Sequence, residues 1–198
     1  MSGLYALVLA AGTGSRFGGR KLLSPWRGGV LLDGALGVAL GVPVEGVILV
    51  TGADAEDVAV AARALAEARG RLDRLTVVHA ADYADGLSAS FKTGLGALPS
   101  GADGVIVLLG DMPVVPAQVV SQLVQALEAG AIAAAPVRDG QRGNPVALSA
   151  ALIPSMAILT GDKGARMVLD GLGERLVLVP TEDRGVLIDV DRPGEAPA

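Results

Sequence analysis

Residues 4 to 21 read LYALVLAAGTGSRFGGRK: an apolar run from Leu4 to Leu9, then Ala10, Ala11, Gly12, Thr13, Gly14 and Ser15, and only afterwards charges. An uninterrupted apolar run of this length predicts a parallel strand buried on both faces. Behind it, Arg16, Arg20 and Lys21 follow glycines that let the backbone turn tightly and approach a ligand, so amide groups and cations can converge on an anion. The stretch therefore reads as a strand ending in a phosphate-binding loop. On its own it also fits a glycine-rich turn with solvated basic residues.

Two familiar loops are excluded by position. A P-loop needs G-x-x-x-x-G-K-[ST]; Gly14 and Gly19 have that spacing, but Arg20 stands at the lysine and Lys21-Leu22 offer no hydroxyl for magnesium. A dinucleotide fingerprint needs G-x-G-x-x-G; Gly12 and Gly14 fit, but Phe17 takes the third glycine position and Gly18 comes one residue late. The loop is of a third kind.

Further strand-length apolar runs lie at Gly46–Thr51, Leu75–His79, Gly104–Leu109, Ala131–Ala135, Leu176–Val179 and Val186–Ile188. Helical segments at Ala55–Arg69 and Pro116–Glu128 fall between them, with Asp54 placed to cap the first and Pro116 to open the second. Strands alternating with helices predict an α/β fold with a mostly parallel sheet and right-handed crossovers. No repeat or linker interrupts residues 1–198, which are expected to form one domain. In such sheets ligands bind outside the carboxyl ends of the strands, so the residues that end each run are the ones to read for function.

The composition narrows the classes. Hydrophobic residues make up 51% and aromatics 3%, a small-aliphatic core suited to sheet covered by helices. A net charge of -5 argues against a nucleic-acid surface, which would need a basic stripe. The absence of cysteine removes disulfides, thiolate nucleophiles and cysteine metal sites, with the cytoplasm as the default compartment. Mean hydropathy is +0.52, yet no apolar segment reaches the ~18 to 20 residues that span a bilayer, and the N-terminus lacks the basic start of a signal peptide. A soluble protein without nucleic-acid or membrane partners is expected.

Asp111 follows VIVLLG and precedes Met112-Pro113, which puts a carboxylate at the mouth of the sheet; desolvation there favours a cation beside it, and magnesium would serve. Capping of the following segment is the other reading. Asp189 and Asp191 alternate on the last predicted strand, which places both on one face. With Asp111 they could form a hard-oxygen magnesium site, or they could be a solvated acidic strand end. In Gly86–Leu95, GLSASFKTGL, Ser88 or Ser90 could bond a base or ribose, and either could equally be an N-cap. His79 is the only histidine and no G-x-S-x-G accompanies it, so it reads as a strand-end residue without catalytic work.

Together LAAGTGSRFGGRKLL (9–23), GLSASFKTGL (86–95), GDMP (110–113), RGNPV (142–146), GDKGAR (161–166) and IDVD (188–191) resemble the nucleotidyltransferase family of the molybdenum-cofactor cytidylyl- and guanylyltransferases. Sugar-nucleotide and methylerythritol cytidylyltransferases resemble it more distantly. The motifs occur in family order over nearly the whole chain. The resemblance implies a Rossmann-like three-layer α/β/α sandwich forming a single nucleotidyltransferase domain. It implies that Leu9, Ala10, Ala11, Gly12, Gly14 and Ser15 pass along a nucleoside triphosphate whose phosphates Arg16 and Lys21 grip. Gly86, Ser88 and Ser90 would close over the base. Asp111, with Asp189, Asp191 or both, would hold Mg²⁺; Arg142, Gly143, Asn144, Asp162, Lys163 and Arg166 would line the acceptor side.

The chemistry so implied is in-line attack of an acceptor phosphate on the α-phosphorus, with release of pyrophosphate. That reaction needs positioning and charge neutralisation more than a protein base, because the nucleophile is already an anion. Arg16, Lys21 and Asp111 would carry it. Ala10-Ala11-Gly12 matches the cytidylyl pattern, whereas guanylyl members usually carry Ala-Gly-Gly, so CTP is expected over GTP, molybdopterin as acceptor and a molybdoenzyme as eventual recipient. The sequence departs from the family at Arg20, at Phe17, where methionine is common, and in ending soon after Asp191. Transfer to another phosphorylated acceptor, a non-catalytic nucleotide-binding module and a dinucleotide-dependent oxidoreductase are the other readings.

Overall fold

A computed structural model describes residues 3–157 and 164–195, with the backbone alone for residues 157 and 164–166. In chain order it contains β1 (Leu4–Ala10), β2 (Pro25–Trp26), β3 (Gly29–Val30), α1 (Leu32–Gly41), β4 (Gly46–Thr51), α2 (Ala55–Ala68), β5 (Leu75–His79) and α3 (Leu87–Gly96). There follow β6 (Gly104–Leu109), α4 (Ala117–Glu128), β7 (Ala133–Arg138), β8 (Gln141–Arg142), β9 (Val146–Ser149), α5 (Ile153–Ala157), α6 (Gly164–Gly171) and β10 (Leu176–Pro180).

The period of two along β1 builds the layers. Leu4, Ala6, Val8 and Ala10 belong to one apolar cluster, with Leu32 and Leu36 of α1, Val58 and Ala62 of α2, and Val119 and Leu123 of α4. Leu7 and Leu9 belong to the other, with Phe91 and Leu95 of α3, Met156 of α5 and Leu169 of α6. A strand apolar on both faces can be satisfied only by helices on both. The fold is accordingly a Rossmann-like α/β/α sandwich. At Gly94 of α3 a β-carbon would lie 2.4 Å from a Leu7 methyl, so glycine sets how closely this helix approaches the sheet.

The sheet runs β10-β7-β9-β6-β1-β4-β5, with β8 attached to β7. β1 pairs in parallel with β4 and β6, β4 with β5, and β7 with β10; β9 is antiparallel to both β6 and β7. β9 is too short and too close to a proline to have been read from its composition.

Two expectations are corrected. The expected strand at Val186–Ile188 is instead the end of a 3₁₀ turn, Arg184–Leu187, followed by irregular chain. Its backbone partners lie in loops, since Asn144 donates to the Val186 carbonyl and Val190 donates to that of Asp111, so no ladder forms. Asp54 does precede α2, but in the left-handed region at φ 54° and without a side-chain cap bond.

Candidate active site

Ala10, Thr51, His79 and Leu109 end β1, β4, β5 and β6 on one edge of the sheet. From β1 the chain proceeds to β4 and β5 on one side, then crosses to β6 on the other, which makes the β1–β6 crevice the point where strand order reverses. Gly110 closes the crevice floor by donating to the Leu9 carbonyl at 2.9 Å. Leu9, Ala10 and Ala11 are buried, and exposure begins at Gly12. Ala11 packs within the cluster that includes Phe91, so its β-carbon is part of the core and its bearing on the choice of base is indirect.

Beyond Gly12 the loop is shaped by positive φ. Gly14 is left-handed and accepts from Phe17 and Gly19 at 2.9 and 3.1 Å, closing the turn Ser15–Phe17; Gly18, Gly19 and Arg20 are left-handed in succession. This reversal delivers Lys21 back to the crevice, where buried Leu22 anchors it. Arg20 is turned the opposite way, its guanidinium 2.6 Å from Asp57 on α2. The three cations of the loop therefore do not converge: Arg16 and Lys21 face the crevice acids and Arg20 pins the loop to a helix.

Lys21 Nζ lies 2.7 Å from Asp111 Oδ2 and 3.7 Å from Asp191 Oδ1, and Arg16 Nη1 lies 3.0 Å from Asp191 Oδ2. The side chains of Lys21 and Asp111 are only 13% and 28% exposed, so this pair is less screened than the Arg16 pair at the surface. Asp111 thus has its cation, but it is an ammonium of the chain itself. Asp189 is exposed and joins no ion pair among the described residues.

Asp191 arrives on a tail that acts as a seam. Gly143 and Asn144 lie against it, a β-carbon on Gly143 falling 2.3 Å from the Val186 carbonyl; on its other side, a β-carbon on Gly185 would fall 2.0 Å from the carbonyl of Val114. The tail therefore joins the expected acceptor segment to the Asp111 loop. Sequence spacing gave no sign of it, because the contacts are backbone to backbone.

Gly86 caps α3 at φ 107°, with Ser88 half-buried and Ser90 buried in the first turns; neither serine is the cap. They lie on the same edge, past β4 and β5. Arg142 pairs with Asp170 of α6 at 2.7 Å. Asp162 and Lys163 lie outside the described residues, as does the side chain of Arg166. An open groove of about 520 Å³ lies between Pro116–Gln122 and Pro180–Asp183 and contains none of the expected site residues.

Among the described residues no group of three or more His, Cys, Asp or Glu side chains is placed to hold a metal ion. Asp111 and Asp191, facing one cation, still fit magnesium or manganese, which take one or two carboxylates and complete their shells with water and phosphate oxygens.

A mostly parallel sheet whose switch point carries paired cations and carboxylates defines a nucleotide-handling α/β enzyme. Residues 6–176 match the MobA-like NTP transferase domain, and the chain belongs to that family of nucleotidyltransferases. It is 33% identical to nicotine blue oxidoreductase of Paenarthrobacter nicotinovorans, over 93% of this chain and 90% of that protein. It is 27% identical to the molybdenum cofactor cytidylyltransferase of Escherichia coli K12, over 98% and 94%. Rv0371c of Mycobacterium tuberculosis H37Rv superimposes with a TM-score of 0.80 at 25% identity, over 98% of this chain and 95% of that one. A crystal structure of Rv0371c in complex with manganese superimposes at 0.70 and 24% identity, covering 90% and 88%. Among the described residues no helix is long and apolar enough to cross a membrane.

Proposed function

We propose that the chain, as one domain, transfers CMP from CTP to the phosphate of molybdopterin or its molybdenum-loaded form, releasing pyrophosphate with a divalent metal, in the cytoplasm. The observation that carries the reading is the contact of Lys21 with Asp111 at 2.7 Å, which joins the amino-terminal loop to the acid at the end of β6. The cytidylyltransferase relative and the Ala10-Ala11-Gly12 pattern support CTP and the acceptor; the manganese complex of a structural neighbour supports the metal.

The residues divide the work. Lys21 and Arg16 neutralise Asp111 and Asp191. A bound Mg²⁺, held by Asp111 and Asp191, would supply Lewis-acid neutralisation of the phosphate oxygens. Lys21 and Arg16, no longer needed by the acids, turn to the triphosphate and stabilise charge developing at the α-phosphorus and on the leaving pyrophosphate. Leu9, Ala10, Ala11, Gly12, Gly14 and Ser15 carry the nucleotide along the loop, and Gly86, Ser88 and Ser90 cover its base. Arg142, Gly143, Asn144, Asp162, Lys163 and Arg166 orient the acceptor, whose own phosphate is the nucleophile.

The test is pyrophosphate release from CTP, GTP, ATP and UTP with molybdopterin and Mg²⁺. CTP should be preferred, and Asp111→Ala should lower turnover about 10²- to 10³-fold; an undiminished Asp111→Ala enzyme would contradict the assignment. A second reading, a dinucleotide-dependent oxidoreductase, is favoured by one observation, the 33% identity to a protein named as an oxidoreductase. Phe17 at the third glycine position speaks against it. Titration with NADH and NADPH separates the two: saturable binding would favour hydride chemistry.

A further inference from the structure

We infer that Glu195 is a positioning residue for Asp191, an inference that rests on the nucleotidyl-transfer reading for what Asp191 does. Asp191 sits in the irregular tail, its side chain 44% exposed, yet both its carboxylate oxygens are engaged, one near Lys21 and the other on Arg16. A carboxylate at that exposure keeps two directions only if its backbone is held.

It is held from both sides. Upstream, the amide of Val190 donates to the Asp111 carbonyl at 3.0 Å, and the Val190 side chain is fully buried. Downstream, the amides of Asp191 and Arg192 both donate to Glu195 Oε2, at 3.1 and 2.8 Å. The Glu195 amide donates back to the Arg192 carbonyl at 3.2 Å. Gly194, at φ 87°, lets the chain double back far enough for this closure. One carboxylate thus accepts two adjacent amides, and charge-assisted bonds of this kind are stronger than neutral ones. Glu195 forms no ion pair among the described residues, so its contacts serve the turn and, through it, Asp191.

The consequence is specific. Loss of the Glu195 carboxylate leaves Asp191 present but unaimed, so the variant should resemble Asp191→Ala in how it binds nucleotide. Glu195→Gln retains a side-chain oxygen and should largely restore aim.

Two measurements on the full chain test this. In calorimetric titration with CTP and Mg²⁺, Glu195→Ala should raise Kd about five- to tenfold, the loss of one charge-assisted contact. Glu195→Gln should lie near the wild type, and Glu195→Ala should add nothing to Asp191→Ala, since groups acting as one unit are non-additive. In nucleotide-free hydrogen exchange, Glu195→Ala should speed exchange at the Asp191 and Arg192 amides. An unchanged Kd in Glu195→Ala, or a penalty that adds in full to that of Asp191→Ala, would overturn the inference, as would unchanged exchange. If exchange quickens while the wild type binds none of CTP, GTP, ATP or UTP, the turn stands and the transferase reading fails.

Discussion

At the β1–β6 crevice, charged side chains from segments 90 and 175 residues apart pair with one another; at the β7–β8 side of the same edge, backbone bonds set the geometry. There Gly143 donates to Pro136 and Asn144 to Val186, and the cation Arg142 is engaged by Asp170 on α6. The first region is a balance of charges that a charged ligand can redistribute. The second is a backbone fixed by main-chain bonds, packed so close at Gly143 that a β-carbon would meet the Val186 carbonyl. Under the proposed function, a nucleotide with a metal would occupy the former and the acceptor the latter.

Removal of a crevice charge should do the most damage. Lys21→Ala or Asp111→Ala should lower kcat/KM for nucleotidyl transfer about 10²- to 10³-fold, as for other preorganised charge-stabilising groups, read as pyrophosphate release. Next comes Gly185→Ala, which puts a β-carbon against the Val114 carbonyl on the seam between the regions. Its overpacking should cost about 1–3 kcal/mol in denaturant unfolding and weaken both ligands together.

Arg142→Ala sharpens the contrast, because it should raise KM for the acceptor about tenfold, the scale of one charge-assisted contact, while Kd for CTP stays put. Equal effects on both ligands would mean that the regions are not separate. The smallest effect lies away from the edge. Burial, and then the negative charge of Glu45 beside it, push the Tyr5 phenol up from its ordinary value near 10. Folding therefore favours the protonated phenol, and its contribution is present below about pH 10 and lost as pH rises through the raised value. Tyr5→Phe should flatten the alkaline limb of the stability curve and leave activity at neutral pH unchanged.

The mostly parallel α/β layering was legible because apolar runs of strand length alternate with helical segments and the turns that end them mark one edge, whereas the order of the strands was not. The place of Asp111 at the mouth of the sheet was legible because it is the first charge after such a run, and that of Lys21 because it closes the glycine-rich loop behind β1. The tail was not. Val186–Ile188 has a strand's composition, but its amides and carbonyls are taken by loops, and nothing in apolar patterning distinguishes the two. Arg20 was misread because density of charge says nothing of direction, and its turn toward Asp57 follows from φ values that a non-glycine residue seldom adopts.

If Asp111 and Asp191 hold a metal while Lys21 passes to the triphosphate, metal and nucleotide bind as coupled ligands. Calorimetric titration of CTP in Mg²⁺ and in EDTA measures that coupling directly. Mg²⁺ should tighten CTP at least tenfold in the wild type, and Asp111→Ala should abolish the gain. Equal tightening by Mg²⁺ in wild type and Asp111→Ala would contradict the metal's place at Asp111.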